Sequence, residues 1–251
     1  MTTPSSTVIA RRNDEAISRL NHRDGAASLV MTHSTHPFEL VNQSCTGYTQ
    51  NNFAVFLTNL LGQKITGQLL QRYYICTSKH WQGATVFWQI DSANRARAGK
   101  IMLYHSPTGK RVKQPYSHIA WVHSILKYHS FKLQQCFFGE HLLKTNLLKP
   151  VAIVESEKTA VIASVHLPEF IWLATGSLSS LTKEKCAVLK GRRVVLFPDA
   201  NGFKMLSENA NELSVITPIT VSDMLEKNTT PVEKANGFDL ADYLIKAHIN
   251  P

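Results

Sequence analysis

Hydrophobic and polar positions along this chain change their rhythm at Pro150. Before it, FAVFLTNLL follows Asn52 with apolar residues at helical spacing and is closed by Gly62, and ITGQLLQRY repeats the pattern, so two short helices are predicted. The aromatic and β-branched run ATVFWQID, Ala84 to Asp91, predicts a strand. The polar turn SANRARAG leads to KIMLYH, and SPTG (Ser106 to Gly109) leads to KRVKQP. That alternation predicts an antiparallel meander of two or three strands. IAWVHSILKYH, Ile119 to His129, has apolar residues at helical spacing.

After Pro150 the units alternate. VAIVE is strand-like and EKTAVIASVH helical. FIWLA (Phe170 to Ala174) is a strand, TGSLSS a loop, and Leu181–Leu189 a helix. RVVLFP is a strand followed by an irregular stretch; LSVIT is a strand, VSDMLEK a helix, and DLADYLIKAH a helix with Asp239 at or near its N-cap. Strands alternating with helices imply a parallel sheet. The expected fold is therefore α/β, a parallel sheet flanked by helices, preceded by a smaller α+β, β-rich lobe. Residues 1–45 are expected to be a poorly ordered arm, 46–148 the first lobe and 149–251 the second.

Charge sharpens this division. Residues 1–50 hold four Lys/Arg and four Asp/Glu; residues 51–148 hold twelve against two, Asp91 and Glu140; residues 149–251 hold eleven against twelve. A basic lobe beside a carboxylate-bearing one fits a protein that grips a polyanion with one part and does metal chemistry with the other. The four cysteines, Cys45, Cys76, Cys136 and Cys186, stand far apart with no CxxC pair. Reduced thiols are expected, with neither a zinc site nor a disulfide framework. No apolar run approaches the roughly 20 residues that cross a bilayer, and the N-terminus lacks a secretory apolar core. A cytoplasmic location with no membrane partner is expected.

Glu155 ends one apolar run, and Asp199, 44 positions later, ends another. Open α/β sheets hold ligands at the carboxyl ends of their strands, and Mg²⁺ needs only one or two carboxylates plus water. Glu155 can also move a proton during phosphoryl transfer. Asp239 and Asp242 fall on one helix face. Glu157 and Lys158 read as solvated. Thr175, Gly176 and Ser177 form either a phosphate cradle or an ordinary turn. In the basic lobe, Arg95, Arg97, Lys100, Lys110, Arg111 and Lys113 flank two turns, with Phe87, Trp88, Tyr104, Tyr116 and Trp121 interleaved. Cations with rings for stacking suit single-stranded nucleic acid, although Phe87 and Trp121 read individually as core residues.

Taken in order, VAIVESEKTA, FIWLATGS, LFPDAN and GFDLADYL resemble the motifs of a Toprim domain, the metal-binding fold of topoisomerases and bacterial-type primases. The block ATVFWQID…RAGKIMLYHSPTGKRVK resembles the basic lobe that precedes it in primases. More narrowly, residues 52–248 look like an uncharacterised bacterial domain family similar to primase-like proteins of plasmids and conjugative elements. The resemblance implies Glu155 as acid/base residue, Asp199 as principal ligand of Mg²⁺ or Mn²⁺, Asn201 and Asp239 as further metal positions, and single-stranded DNA with a helicase or replication protein as partners. Asn201 stands where Toprim enzymes carry a second Asp, and no complete zinc-binding module of the kind that commonly opens primases is expected within these residues. Two readings stay open: a Mg²⁺-dependent nucleotidyl or phosphoryl transferase, and a catalytically degenerate DNA-binding module. A receiver-like phospho-acceptor at Asp199 lacks the clustered acids early in the chain.

Overall fold

The computed structural model describes residues 35–128, 130–177 and 180–249. The polar N-terminal segment through residue 34 lies outside them. Among the described residues no helix is long and apolar enough to cross a membrane.

The first lobe is an antiparallel sheet in the order β1 (Ile75–Thr77), β2 (Thr85–Ile90), β3 (Ala96–Met102), β4 (Ile119–Trp121). Helices α1 (Phe38–Ser44), α2 (Asn52–Leu61), α3 (Gln63–Arg72) and α4 (Val122–Ile125) accompany it. Asn51 starts α2: its side-chain oxygen accepts from the amides of Phe53 and Ala54 at 3.1 Å each. All six residues of β2, Thr85 and Gln89 included, are buried, because the sheet is covered on both faces. In the β2–β3 pair Gly99 stands opposite Trp88; a Cβ there would lie 2.6 Å from Val122 and 2.9 Å from the indole.

The second lobe is the expected parallel sheet, in the order β6 (Ile171–Ala174), β5 (Val151–Val154), β7 (Val194–Leu196), β8 (Ile219–Val221). Helices α5 (Glu157–His166), α6 (Lys183–Cys186), α7 (Phe203–Leu213), α8 (Met224–Asn228), α9 (Pro231–Ala235) and α10 (Leu240–Ile249) surround it. Helix α5 packs against β6 and α10, and α7 against β8. The lobes share one core, in which Phe53, Phe87 and Tyr104 join Ile153, Leu173 and Trp172. Tyr73 stacks on Phe138 at 5.3 Å, and Phe138 exchanges backbone hydrogen bonds with Ala174 of β6. The composition break at Pro150 is thus a seam inside one unit, His33–Pro251.

Several local expectations change. Residues 36–44 belong to the first lobe, with Val41 buried and His36 bridged to Ala96. Cys45 and Cys76 are joined as a disulfide, whereas Cys136 and Cys186 are buried thiols. Ile119–Trp121 pairs with β3 instead of starting a helix, since an open sheet edge outweighs weak helical periodicity. KRVKQP forms no strand beyond a bridge between Tyr104 and Arg111. The irregular stretch after Asn201 is helix α7, and the strand expected at LSVIT begins only at Ile219, because Leu213 still closes α7.

Candidate active site

Strands β5 and β7 are parallel neighbours with Ile153 opposite Leu196, so the residues that follow them emerge at the same edge of the sheet. Glu155 follows β5 directly. Asp199 follows β7 after Phe197 and Pro198, where the amide of Phe197 donates to the Ile153 carbonyl at 2.9 Å and that of Gly202 to Asp199 at 2.8 Å. Both acids line a cleft of about 590 Å³, together with Asp239 and Asp242 from α10. Its opposite wall is the turn after β3, which contributes Lys110, Arg111 and Lys113, all exposed. That turn is pinned by Gly109, whose φ of +62° and approach to Phe56, 2.4 Å from where a Cβ would stand, exclude a side chain.

The site is crowded with negative charge. Burial, then Asp239 and Glu155, push the Asp199 carboxyl up to about 7, and Lys158 offsets this only in part. Burial also raises Glu155, opposed by Arg111 and Lys100. A half-buried carboxylate that holds its proton this tightly gains most from a cation beside it.

Two lysines are built into this charge. Lys158 Nζ stands 3.1 Å from Asp239 Oδ2 and 3.3 Å from Asp242 Oδ1. Burial alone would lower this ammonium, but the two carboxylates hold it above the ordinary lysine value. Asp239 also accepts from the Thr159 hydroxyl at 3.2 Å and caps α10 by accepting from the Asp242 amide at 2.8 Å. Lys100 Nζ, reaching from β3, donates to Glu157 Oε1 at 3.0 Å and Oε2 at 3.2 Å. Glu157 and Lys158, read from sequence as solvated, are therefore buried in ion pairs. The one signal for this was their place in the first turn after an acid-tipped strand.

The remaining sequence candidates separate. Arg95 and Arg97 each place Nε 2.8 Å from Asp91 Oδ2 and line a second cleft with Cys136 and Lys185. Lys100 lines the acidic cleft, but its ammonium is taken by Glu157. Asn201 is exposed and donates to the Lys234 carbonyl at 2.7 Å; it does not line the cleft. Phe87, Trp88 and Tyr104 are core residues, Trp121 is half-buried, and Tyr116 is 55% exposed. The amides of Thr175 and Gly176 donate to the Val154 and Glu155 carbonyls, so these two amides are engaged within the fold and not offered to a phosphate.

Among the described residues no group of three or more His, Cys, Asp or Glu is arranged to hold a metal ion. Glu155 and Asp199 nevertheless offer two carboxylates in one cleft, which is the donor set Mg²⁺ takes when it keeps most of its waters. Asp239 is engaged by Lys158, and Asn201 faces away, so the four-residue set expected from sequence reduces to these two acids.

Residues 51–200 match the family model described as Domain of unknown function (DUF6371). No curated protein matches the sequence. Among solved structures the chain is similar to the primase fragment of the bacteriophage T7 primase-helicase protein, at 17% identity over 92% of this chain and 84% of that one, TM-score 0.46. It is similar also to the RNA polymerase domain of Mycobacterium tuberculosis primase DnaG, at 11% identity over 98% and 84%, TM-score 0.42. A third is the Aquifex aeolicus primase (zinc-binding and RNA polymerase domains), at 12% identity over 84% of this chain and 55% of that one, TM-score 0.43.

Proposed function

For a chain that belongs, as this one does, to the family described as Domain of unknown function (DUF6371), we propose a primase-like, Toprim-type action on single-stranded nucleic acid, DNA in the first place, by Mg²⁺-dependent phosphoryl or nucleotidyl transfer. The observation that carries this reading is one cleft that unites Glu155 and Asp199 with Lys110, Arg111 and Lys113. Acids at strand tips face cations on a turn, so a phosphodiester between them would meet the cations directly and the acids through the divalent ion they would hold.

In this reading Lys110, Arg111 and Lys113 bind and orient the phosphates. Glu155 and Asp199 are the residues that would hold Mg²⁺ or Mn²⁺, which when bound neutralises charge on the transferring phosphoryl group. With the metal on Asp199 and not on its own oxygens, Glu155 would be the acid/base residue, and its carboxyl, raised by burial, suits it to hold or release a proton at the attacking or leaving oxygen. Lys100 and Arg111 keep that carboxyl from rising further. A plasmid or conjugative-element setting, with a helicase or replication protein as partner, belongs to the same proposal.

The test is primer synthesis and nicking on single-stranded DNA with Mg²⁺ or Mn²⁺, run beside Glu155→Gln and Asp199→Asn. Activity abolished in both variants supports the enzyme. A second reading, a binding module with a degenerate site, is favoured by the outward Asn201 and by Lys158 between Asp239 and Asp242. Inactivity of the wild type, with salt-sensitive binding of single strands retained, decides for the module.

A further inference from the structure

The basic turn continues into a stack of rings that the acidic cleft does not use. Tyr116 is 55% exposed, and its ring lies on that of His118 at 4.3 Å with an interplanar angle of 20°. His118 meets Trp81 edge-on at 5.1 Å, and Trp81 lies 4.3 Å from His80. Trp81 in turn packs on the core of the first lobe, so the stack has a rigid foot. Several large rings of this lobe, Phe53, Phe87, Trp88 and Tyr104 among them, are fully buried. Here Tyr116 is held outward, its ring nearly parallel to that of His118.

Its neighbours carry one sign of charge. Lys79 precedes His80, Arg111 and Lys113 precede Tyr116, and all three cations are exposed. The His118 amide donates to the Val112 carbonyl at 3.4 Å, which ties the stack to the same arm that lines the cleft. Gln114 and Pro115 stand between Lys113 and Tyr116, so the two are at most about 11 Å apart along the chain.

We infer that Tyr116, backed by His118 and Trp81, is a stacking platform for an unpaired base of a single strand whose phosphates run along Lys113 and Arg111. The inference rests on the nucleic-acid reading above and adds to it a place where bases, not phosphates, are held. An open ring face takes any base, since every base has a π-face, and the flanking cations take the backbone. Duplex keeps its base faces covered, so the platform selects single strands without selecting sequence. A protein ligand with an exposed aromatic would fit the ring but has no use for the cations.

The experiment compares a fluorescent oligothymidylate with an abasic strand of equal length and charge, on wild type, Tyr116→Ala, Tyr116→Phe and the Arg111→Glu/Lys113→Glu double variant. Wild type is expected to prefer the base-bearing strand by about fivefold or more. Tyr116→Ala should bring that preference near unity while its affinity for the abasic strand stays within about twofold, and Tyr116→Phe should keep the preference. The charge-reversed variant should weaken both strands alike and flatten the salt dependence. A preference that survives Tyr116→Ala, or a wild type that binds both strands equally, overturns the platform alone. A wild type that binds neither strand overturns the platform and the nucleic-acid reading together.

Discussion

Replacing Lys100 with Met removes the charge by which β3 holds the start of α5. In the folded protein the Lys100 and Glu157 side chains are 9% and 2% exposed and meet at 3.0 Å. The methionine fills the aliphatic volume of the lysine but leaves the Glu157 carboxylate desolvated and unanswered. Breaking one side of such a pair costs about 3–5 kcal/mol. In a unit of this size that lowers Tm by roughly 6–20 °C. The second variant in the cycle, Lys100→Met with Glu157→Leu, removes both charges and should recover most of the loss, because the desolvation penalty goes with them. Urea unfolding followed by circular dichroism reads both variants and the Glu157→Leu single, provided the m-value stays constant. A single variant that costs less than about 1 kcal/mol, or a double variant as unstable as the sum of the singles, refutes the buried-pair account. Because Lys100 lowers Glu155, its loss should also raise the Glu155 carboxyl further and move any Glu155-dependent pH profile upward.

Lys158→Met leaves Asp239 and Asp242 without their shared ammonium, so a Mn²⁺ titration followed by electron paramagnetic resonance should show one more ion bound than in wild type; an equal count refutes the view that this lysine fills a cation's place. His36 is buried, stacked on Phe131 at 4.6 Å, and neither of its ring nitrogens has a hydrogen-bond partner among the described residues. Burial, then the neighbouring His123, lower its pKa from 6.5 to about 4. The unfolded chain therefore takes up this proton first: stability is full above pH 6.5 and falls by about 3 kcal/mol as pH drops to 4. His36→Phe should flatten that part of the pH–stability curve, and an unchanged slope would show that the ring does not titrate in isolation.

What the chain's own pattern determined is local. The close of α2 at Gly62, the apolar runs of β2, β5 and β7, the acids at the strand tips and Asp239 at the head of α10 are all written within about ten residues, the range over which helical and strand periods act. The parallel sheet follows from the same alternation, and with it the meeting of Glu155 and Asp199 at one edge. Pairings between distant residues were decided only by the tertiary structure. Lys100 finds Glu157 across 57 positions and Lys158 finds Asp242 across 84, and nothing in the letter K distinguishes a solvated lysine from one buried in a pair. Arg95 and Arg97 go to Asp91 and leave the cleft to Lys110, Arg111 and Lys113, because β3 ends one cluster near each of its two tips. Among the rings, periodicity marked many as apolar, but whether a face meets the core or the solvent depends on which element covers it. That is why Phe87 and Tyr104 lie inside while Tyr116 stands outside, on the far side of the same basic turn.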